Sequence, residues 1–218
     1  MDKITKYVIN LKRRPDRLER FMKTCPYKDV QIIEAFDGKN INNNSNGKDW
    51  FNHIKTRSKT LSDPEIGCFV SHIKVWEKIV KSNDTYTMIF EDDPIFSKEY
   101  KNIEKRIDLN IVDSILYFGG RFTPNYIMRN SIPVTDVLIK HDLSKRWNPM
   151  DCDRTLHGYI LTKNCARILL ESFDKMFNGT DPADYYVIRC VLQNNMDIYS
   201  SRPLICHSEA VAADSDIR

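Results

Sequence analysis

The chain has 218 residues, of which 41% are hydrophobic and 29% are charged, a balance typical of one globular domain with its own core. Its 33 basic and 30 acidic residues leave a net charge of +3, too small and too dispersed to indicate a nucleic-acid partner. No segment is apolar enough for a signal peptide or a membrane span, and the six cysteines form no CxxC pair. We therefore expect a single domain over residues 1–218 that works in the cytoplasm.

The first quarter of the chain predicts two strands with a helix between them. The apolar run KYVINL (Lys6–Leu11) is typical of a buried strand, and Pro15 then fits the first turn of a helix. VQIIEAFDG (Val30–Gly38) predicts a second strand that ends in a turn. The Asn-rich segment KNINNNSNGKDW that follows is typical of a solvated loop.

The clearest predicted helix begins with a capping box. Ser62 and Glu65 form an S-x-x-E pattern with Pro64 in the first turn, and apolar residues then recur at helical spacing. TYTMIF (Thr85–Phe90) and SILYFGG (Ser114–Gly120) predict two more strands.

Residues 121–156 show no sustained period, and a stretch of this length is typical of a functional loop region or of a disordered segment. HGYILTKNCARILLESF predicts a strand leading into a helix capped near Thr162. DPADYYVIRCVLQNN predicts a helix with Asp181 as its N-cap and Pro182 at its first position. Strands that alternate with helices predict a three-layer α/β/α sandwich with a mostly parallel central sheet.

Three acids follow one of the predicted strands directly. Glu91, Asp92 and Asp93 come after Thr85–Phe90, and ligands of open α/β sheets bind at the carboxyl ends of strands. Adjacent carboxylates repel each other unless a cation neutralises them, which a divalent ion completed by phosphate oxygens would do. An acidic turn that leaves the sheet explains the same residues without any ligand.

Basic residues follow the first predicted strand. Arg13, Arg14 and Arg17 stand at a helix start, where backbone amides and the helix dipole already favour an anion. A solvated basic face is the alternative. Acids at one strand end and arginines at another indicate a metal–diphosphate site, either of a nucleotide-sugar enzyme or of a metal-dependent phosphohydrolase.

Several segments resemble the ordered motifs of glycosyltransferase family 25, which includes lipooligosaccharide galactosyltransferases and collagen galactosyltransferase domains. They are YVINLKRRPDRLERF, IEAFDG, DPEIGCFVSHIKVWEKIV, MIFEDDPIF and DSDI, and they extend from Tyr7 to Ile217. The resemblance implies a GT-A-like, Rossmann-like fold, a UDP-hexose donor (galactose or glucose) and Mn²⁺ or Mg²⁺. It also implies transfer to a hydroxyl of a glycan or glycoprotein with inversion at the anomeric carbon. Under this resemblance, residues 121–156 would shape acceptor specificity.

The resemblance also implies roles for individual residues. Asp93 is the first candidate metal ligand and Asp92 the second, while Glu91 is a candidate for ribose or donor-sugar hydroxyls. For His72 a buried structural histidine is the alternative, and for Gly67 close packing. The positions implied to bind the donor are Asn10, Arg14, Arg17, Asp37, Glu65, Gly67, Ser71, His72, Glu91 and Asp92.

Inversion needs a base that takes the proton from the acceptor hydroxyl. The resemblance points to Asp184 as this base, with Asp93 as its catalytic partner on the metal, although Asp181 fits the same role. His207 is a further candidate metal ligand, with a structural histidine as the alternative. The candidate acceptor or sugar contacts are His157, Tyr159, Asp214 and Asp216, and for the last two a frayed acidic tail is the alternative. A protein that keeps the fold and binds nucleotide sugars or glycans without turnover is the alternative function.

Overall fold

The structure is a computed structural model that describes residues 4–119, 121–122, 131–142, 152–153 and 155–208, with the backbone alone at 121–122, 152–153 and 207–208. The strands are β1 Thr5–Asn10, β2 Val30–Glu34, β3 Tyr86–Phe90, β4 Pro94–Phe96, β5 Ile115–Tyr117, β6 Arg121–Phe122, β7 Ser131–Pro133, β8 Leu138–His141, β9 Cys152–Asp153, β10 Gly158–Thr162, β11 Ile198–Ser201 and β12 Cys206–Ser208. The α-helices are α1 Pro15–Thr24, α2 Lys48–Arg57, α3 Asp63–Lys81, α4 Tyr100–Glu104, α5 Lys163–Glu171, α6 Phe173–Met176 and α7 Ala183–Gln193.

Eight strands form the central sheet in the order β2-β1-β3-β10-β5-β11-β8-β7. Strands β2, β1, β3, β5, β11 and β7 run in one direction, whereas β10 and β8 run the opposite way. Two small pairs, β4 with β12 and β6 with β9, lie outside this sheet. The first residues of β10 therefore lie at the edge of the sheet where its neighbours β3 and β5 end.

Helices cover both faces of the sheet, because successive strand residues point to opposite sides. On β1, Tyr7 and Ile9 pack in a core with helices α2, α3, α5 and α7, while Val8 packs in a second core with α1 and α4. On β3, Ile89 and Met88 divide between the two cores in the same way. The predicted three-layer α/β/α sandwich with a mostly parallel central sheet is confirmed.

The capping box of α3 is also confirmed. The Ser62 hydroxyl accepts from the Glu65 backbone amide, and the Glu65 carboxylate accepts from the Ser62 amide over 2.8 Å. Ten of the 19 residues of helix α3 are buried, and Trp76 among them is fully buried. The helix therefore provides a rigid support beneath the carboxyl edge of β1 and β3.

Two predicted features differ from the structure in the first and last thirds of the chain. Helix α2 begins at Lys48, inside the Asn-rich segment predicted to be a loop, because Phe51 and Ile54 supply a buried apolar face. Helix α7 has Pro182 rather than Asp181 at its N-cap. The Asp181 carboxylate accepts instead from Arg189 Nε, over 2.5 Å.

The segment 121–156 is not a loop throughout. It contributes β7 and β8, an antiparallel hairpin that extends the central sheet from β11. These strands are three and four residues long, too short to produce a recognisable alternation in the sequence. Among the described residues, no helix is long and apolar enough to cross a membrane, and the cytoplasmic location stays a prediction.

Candidate active site

The carboxyl edge of the parallel strands collects the charged residues singled out in the sequence. Strand β1 ends in Asn10, and Glu91 follows the last residue of β3. His157 precedes the reversed strand β10 and reaches the same edge, where its carbonyl accepts from the Glu91 backbone amide over 3.0 Å. Residues that lie far apart in the chain therefore form one site at this edge.

Asp92 is turned into the protein, with 8% of its side chain exposed. One carboxylate oxygen accepts from Asn10 Nδ2 over 2.6 Å, and the other lies 2.6 Å from Arg17 Nη2. Burial raises the pKa of Asp92 to about 6, although Arg17 and Asn10 act in the opposite direction. The contacts tie β1, α1 and the end of β3 together, and they disfavour the prediction that Asp92 is a metal ligand.

Glu91 lies between two histidines. His72 Nε2 lies 3.2 Å from Oε1, and His157 Nδ1 lies 2.8 Å from Oε2. The Cys68 thiol also lies 3.8 Å from Oε1. Burial alone would raise the pKa of the Glu91 carboxyl, but the hydrogen bonds from His157 and His72 outweigh it and hold the pKa well below its usual range. Glu91 is therefore a fixed, ionised group.

His157 bridges two carboxylates. Its Nδ1 lies 2.8 Å from Glu91 and 3.1 Å from Asp93 Oδ1. Burial by itself would lower the pKa of His157, but the Asp93 and Glu91 carboxylates outweigh that effect and raise the pKa to about 10. At neutral pH the imidazole is protonated and supplies the positive charge that the two acids require.

The same three residues offer a plausible set of metal ligands. Ligand atoms of Glu91, Asp93 and His157 all lie within 4.8 Å of one another, and those of Cys68, His72 and Glu91 form a second such group. Two carboxylates and an imidazole suit Mn²⁺ better than Mg²⁺, which prefers oxygen ligands alone. A bound divalent ion would replace the proton of His157 and neutralise the same two carboxylates, so the residues fit the expected ion.

Tyr159 lies behind this cluster. Its hydroxyl accepts from Trp76 Nε1 over 3.2 Å and lies 3.0 Å from His72 Nδ1. Both aromatic side chains are fully buried. The expectation that Tyr159 contacts a sugar is therefore corrected, because its ring has no surface to offer.

The residues of α3 that were expected to bind the donor, Gly67 and Ser71 among them, pack against the turn after β2. The Ser71 hydroxyl accepts from the Phe36 amide over 2.8 Å and donates to the Gly67 carbonyl over 2.7 Å. A Cβ on Gly67 would lie 2.7 Å from the Gly38 nitrogen and 2.8 Å from the Phe36 oxygen. Gly67 thus permits close packing of α3 against this turn, and donor contact by Gly67, Ser71 or the capping residue Glu65 stays a prediction.

Asp37 and Arg14 each have a charged partner near the arginine-rich turn. Asp37 accepts from Arg13 Nε over 2.8 Å and from the Lys39 amide over 3.0 Å, which stabilises the turn after β2. Arg14 pairs with the exposed Asp16, over 2.9 Å. Among the three arginines, Arg17 is the one whose guanidinium lies against the acids, with Nη2 3.4 Å from Asp93 Oδ2.

Asp184 occupies the first turn of α7 and is partly exposed. Burial raises the pKa of the Cys68 thiol, and the negative charges of Glu91 and Asp184 raise it further, so Asp184 lies within electrostatic reach of the cluster.

Sequence reasoning missed Cys68, although its spacing of four from His72 places both on one helix face.

Three predicted residues lie wholly or partly outside the described part of the chain. The backbone of His207 lies opposite Ile95, two residues beyond Asp93, but its side chain is not among those described. Asp214 and Asp216 lie outside the described residues.

Comparison with known proteins identifies relatives. A sequence model described as glycosyltransferase family 25 (LPS biosynthesis protein) matches residues 3–187. Procollagen galactosyltransferase 2 of Mus musculus is 34% identical over 127 residues, covering 53% of this chain and 20% of the relative. Its Homo sapiens counterpart is 28% identical over 155 residues, covering 63% and 24%. The inactive glycosyltransferase 25 family member 3 of Homo sapiens is 31% identical over 108 residues, covering 46% and 18%.

The chain therefore spans at most 24% of the length of these three relatives. Solved structures of similar shape include the inositol-1-phosphate CTP transferase of T. maritima, with a TM-score of 0.44 and 11% identity, covering 97% of this chain and 71% of that one. The apo-form glycosyltransferase GlyE of Streptococcus pneumoniae TIGR4 has a TM-score of 0.43 and 8% identity, covering 90% and 45%.

Proposed function

Because this chain belongs to glycosyltransferase family 25, we propose that it transfers a hexose, galactose or glucose, from a UDP-sugar to a hydroxyl of a glycan or glycoprotein. We propose further that the reaction uses Mn²⁺ or Mg²⁺ and inverts the anomeric carbon. The observation that supports this most is the cluster of Glu91, Asp93 and His157 beside Arg17, at the edge of the sheet where α/β proteins bind ligands.

Asp93, Glu91 and His157 would hold the ion, which when bound would offset the charge that develops on the leaving diphosphate. Asp92 would hold Arg17 in place beside these ligands, since Arg17 Nη2 lies 2.6 Å from the Asp92 carboxylate. Arg17 then presents a second positive charge on the side of α1. The donor diphosphate would therefore lie between the metal ligands and the start of α1.

Asp184 is the residue we assign to deprotonation of the acceptor hydroxyl. Inversion requires the acceptor to attack from the side opposite the leaving group. Helix α7, which carries Asp184, and helix α1, which carries Arg17, pack on opposite faces of the sheet. The placement of these two helices supports the assignment, because Asp184 and Arg17 then belong to different faces of the sheet. The segment 121–156 is proposed to shape acceptor specificity.

A screen of UDP-hexoses with Mn²⁺ and glycan or glycoprotein acceptors, with UDP release as the readout, tests the proposal. We expect Asp93→Asn to lower turnover by about 100-fold or more, because it removes a group that stabilises charge in the transition state. Asp184→Asn is expected to lower turnover while UDP binding remains. Asp49→Asn, in the exposed first turn of α2, is the control and should leave turnover unchanged.

Undiminished UDP release by Asp93→Asn would refute the metal assignment. Release of sugar phosphate or UMP in place of UDP would identify a nucleotide-sugar phosphohydrolase instead. Equal turnover by wild type and Asp184→Asn would remove Asp184 from the mechanism.

A second candidate function is binding of nucleotide sugars or glycans without turnover. It is supported by the relatives whose names describe them as inactive, one of which is 32% identical over 102 residues. Isothermal titration that shows UDP binding, combined with no UDP release for any donor and acceptor pair, would favour this function over transfer.

A further inference from the structure

A line of buried polar side chains connects the core of α3 to Glu91. Trp76 Nε1 donates to the Tyr159 hydroxyl over 3.2 Å, and this hydroxyl lies 3.0 Å from His72 Nδ1. The other ring nitrogen of His72, Nε2, lies 3.2 Å from Glu91 Oε1. Trp76 and Tyr159 are fully buried and His72 is 1% exposed, so water does not compete for these bonds.

The donor and acceptor in each bond follow from the chemistry of the groups. An indole N–H only donates, so the Tyr159 oxygen accepts from Trp76. Among the described residues, the one other polar partner of this hydroxyl is His72 Nδ1, and a buried hydroxyl donates its proton where an acceptor exists. Nδ1 therefore accepts, which leaves the imidazole proton on Nε2, where it is donated to Glu91.

We propose that His72 is a positioning residue, held by Trp76 and Tyr159 in the Nε2–H tautomer, which fixes the orientation of the Glu91 carboxylate. The second oxygen of Glu91 is held by His157, whose Nδ1 also lies 3.1 Å from Asp93. A rotation of the Glu91 carboxylate would therefore move the His157 ring and, through it, the Asp93 carboxylate. The effect on catalysis rests on the proposed function, whereas the tautomer of His72 does not depend on it.

These contacts give a role to Tyr159 and Trp76, which are fully buried and therefore cannot contact a substrate: they fix the tautomer and the ring orientation of His72. A free imidazole exchanges its proton between two nitrogens and can turn its ring, so it would present either a donor or an acceptor to Glu91. The two aromatic partners allow one arrangement. Because a misplacement of about 1 Å at a reacting group costs about 100-fold in rate, a partial loss of orientation should cost on the order of 10-fold.

Nitrogen NMR of the protein labelled with ¹⁵N-histidine tests the tautomer directly, without substrate or metal. His72 is identified among the five histidines by the signal that disappears in His72→Gln. We expect an unprotonated Nδ1 and a protonated Nε2 in the wild type, and loss of this single pattern in Tyr159→Phe. Tyr186→Phe is the control, since it also removes a buried hydroxyl, one that donates to the Leu169 carbonyl and not to His72, and it keeps the ring that packs against Trp76. A protonated Nδ1 in the wild type, or an unchanged pattern in Tyr159→Phe, would overturn the proposal.

Kinetics of UDP release test the positioning role. Tyr159→Phe should lower kcat on the order of 10-fold with KM for the donor within about 2-fold, because Arg17 still binds the donor while the groups that stabilise the leaving diphosphate are misaligned. Tyr186→Phe should leave both values unchanged. If Tyr159→Phe does not fold, His72→Gln, whose amide still donates to Glu91, should retain more of kcat than His72→Leu. Equal kcat for these two variants, or equal effects of Tyr159→Phe and Tyr186→Phe, would reject the role. A wild type that turns over no donor refutes the proposed function and leaves the NMR test intact.

Discussion

Replacing Gly67 by alanine sets two known effects of opposite sign against each other. Alanine inside a helix is favoured over glycine by about 1 kcal/mol, so helix propensity alone predicts that Gly67→Ala stabilises the protein. In the structure, however, the added Cβ would lie 2.7 Å from the Gly38 nitrogen, 2.8 Å from the Phe36 oxygen and 3.0 Å from the Gly38 Cα. These are backbone atoms, which cannot move aside as a side chain would.

Overpacking of a well-packed site costs about 1–3 kcal/mol, and three simultaneous backbone contacts place Gly67→Ala at the upper end of that range. After the gain in propensity, we expect the free energy of unfolding to fall by about 1–2 kcal/mol, or Tm to fall by about 2–8 °C for a chain of this size.

Urea unfolding followed by circular dichroism measures the difference. Gly119→Ala is the matched control, since its Cβ would meet atoms no nearer than 3.4 Å, and it should be tolerated better. An increase in stability for Gly67→Ala would refute the reasoning and show that α3 does not press on the turn after β2.

Three further predictions concern single side chains. Ser62→Ala should lower the free energy of unfolding by about 1 kcal/mol, measured by urea unfolding, because it removes one arm of the capping box; no change would mean that the box contributes nothing. His157 has a pKa raised to about 10 in the folded protein, so its contribution to stability is complete below its unfolded pKa of about 6.5 and is lost as the pH rises through 10. The stability difference between wild type and His157→Gln should thus be larger at pH 6 than at pH 10, and the reverse order would contradict the assigned charge. Asp92→Asn should lower the free energy of unfolding by about 1–3 kcal/mol at pH 8, because Arg17 loses a buried partner. Asp16→Asn, in an exposed pair, is the control and should change it much less. Equal effects of the two substitutions would contradict the burial of Asp92.

The fold was predictable because local signals and packing agree. Proline at the first position of α1, the capping box of α3 and the apolar runs of β1 and β3 each act within a few residues, and the structure retains all of them. The strands β7 and β8 were not predictable, because three or four residues carry too little pattern and their stability comes from pairing with β11.

The site was predictable in part. The acids and Arg17 follow strand ends in the sequence, and the topology brings those ends together. Which acid turns inward was not predictable, because the alternation of β3 ends at Phe90 and Asn10 decides the orientation of Asp92 from another strand. The bridging position of His157 depends on the reversed direction of β10, which no local periodicity encodes.

The reversed strand also affects the segment that connects it to β5. Since β5 leaves the sheet and β10 enters it at the same edge, the amides of Phe118 and Gly119 can both donate to the Gly158 carbonyl, over 2.8 and 3.1 Å. The segment between Gly119 and Gly158 therefore begins and ends at residues that are hydrogen-bonded to each other beside Glu91. The entropic cost of bringing the two ends of such a connecting segment together grows slowly with its length. A change in the length of this segment should therefore disturb the acids little, provided that the β7–β8 hairpin still pairs with β11.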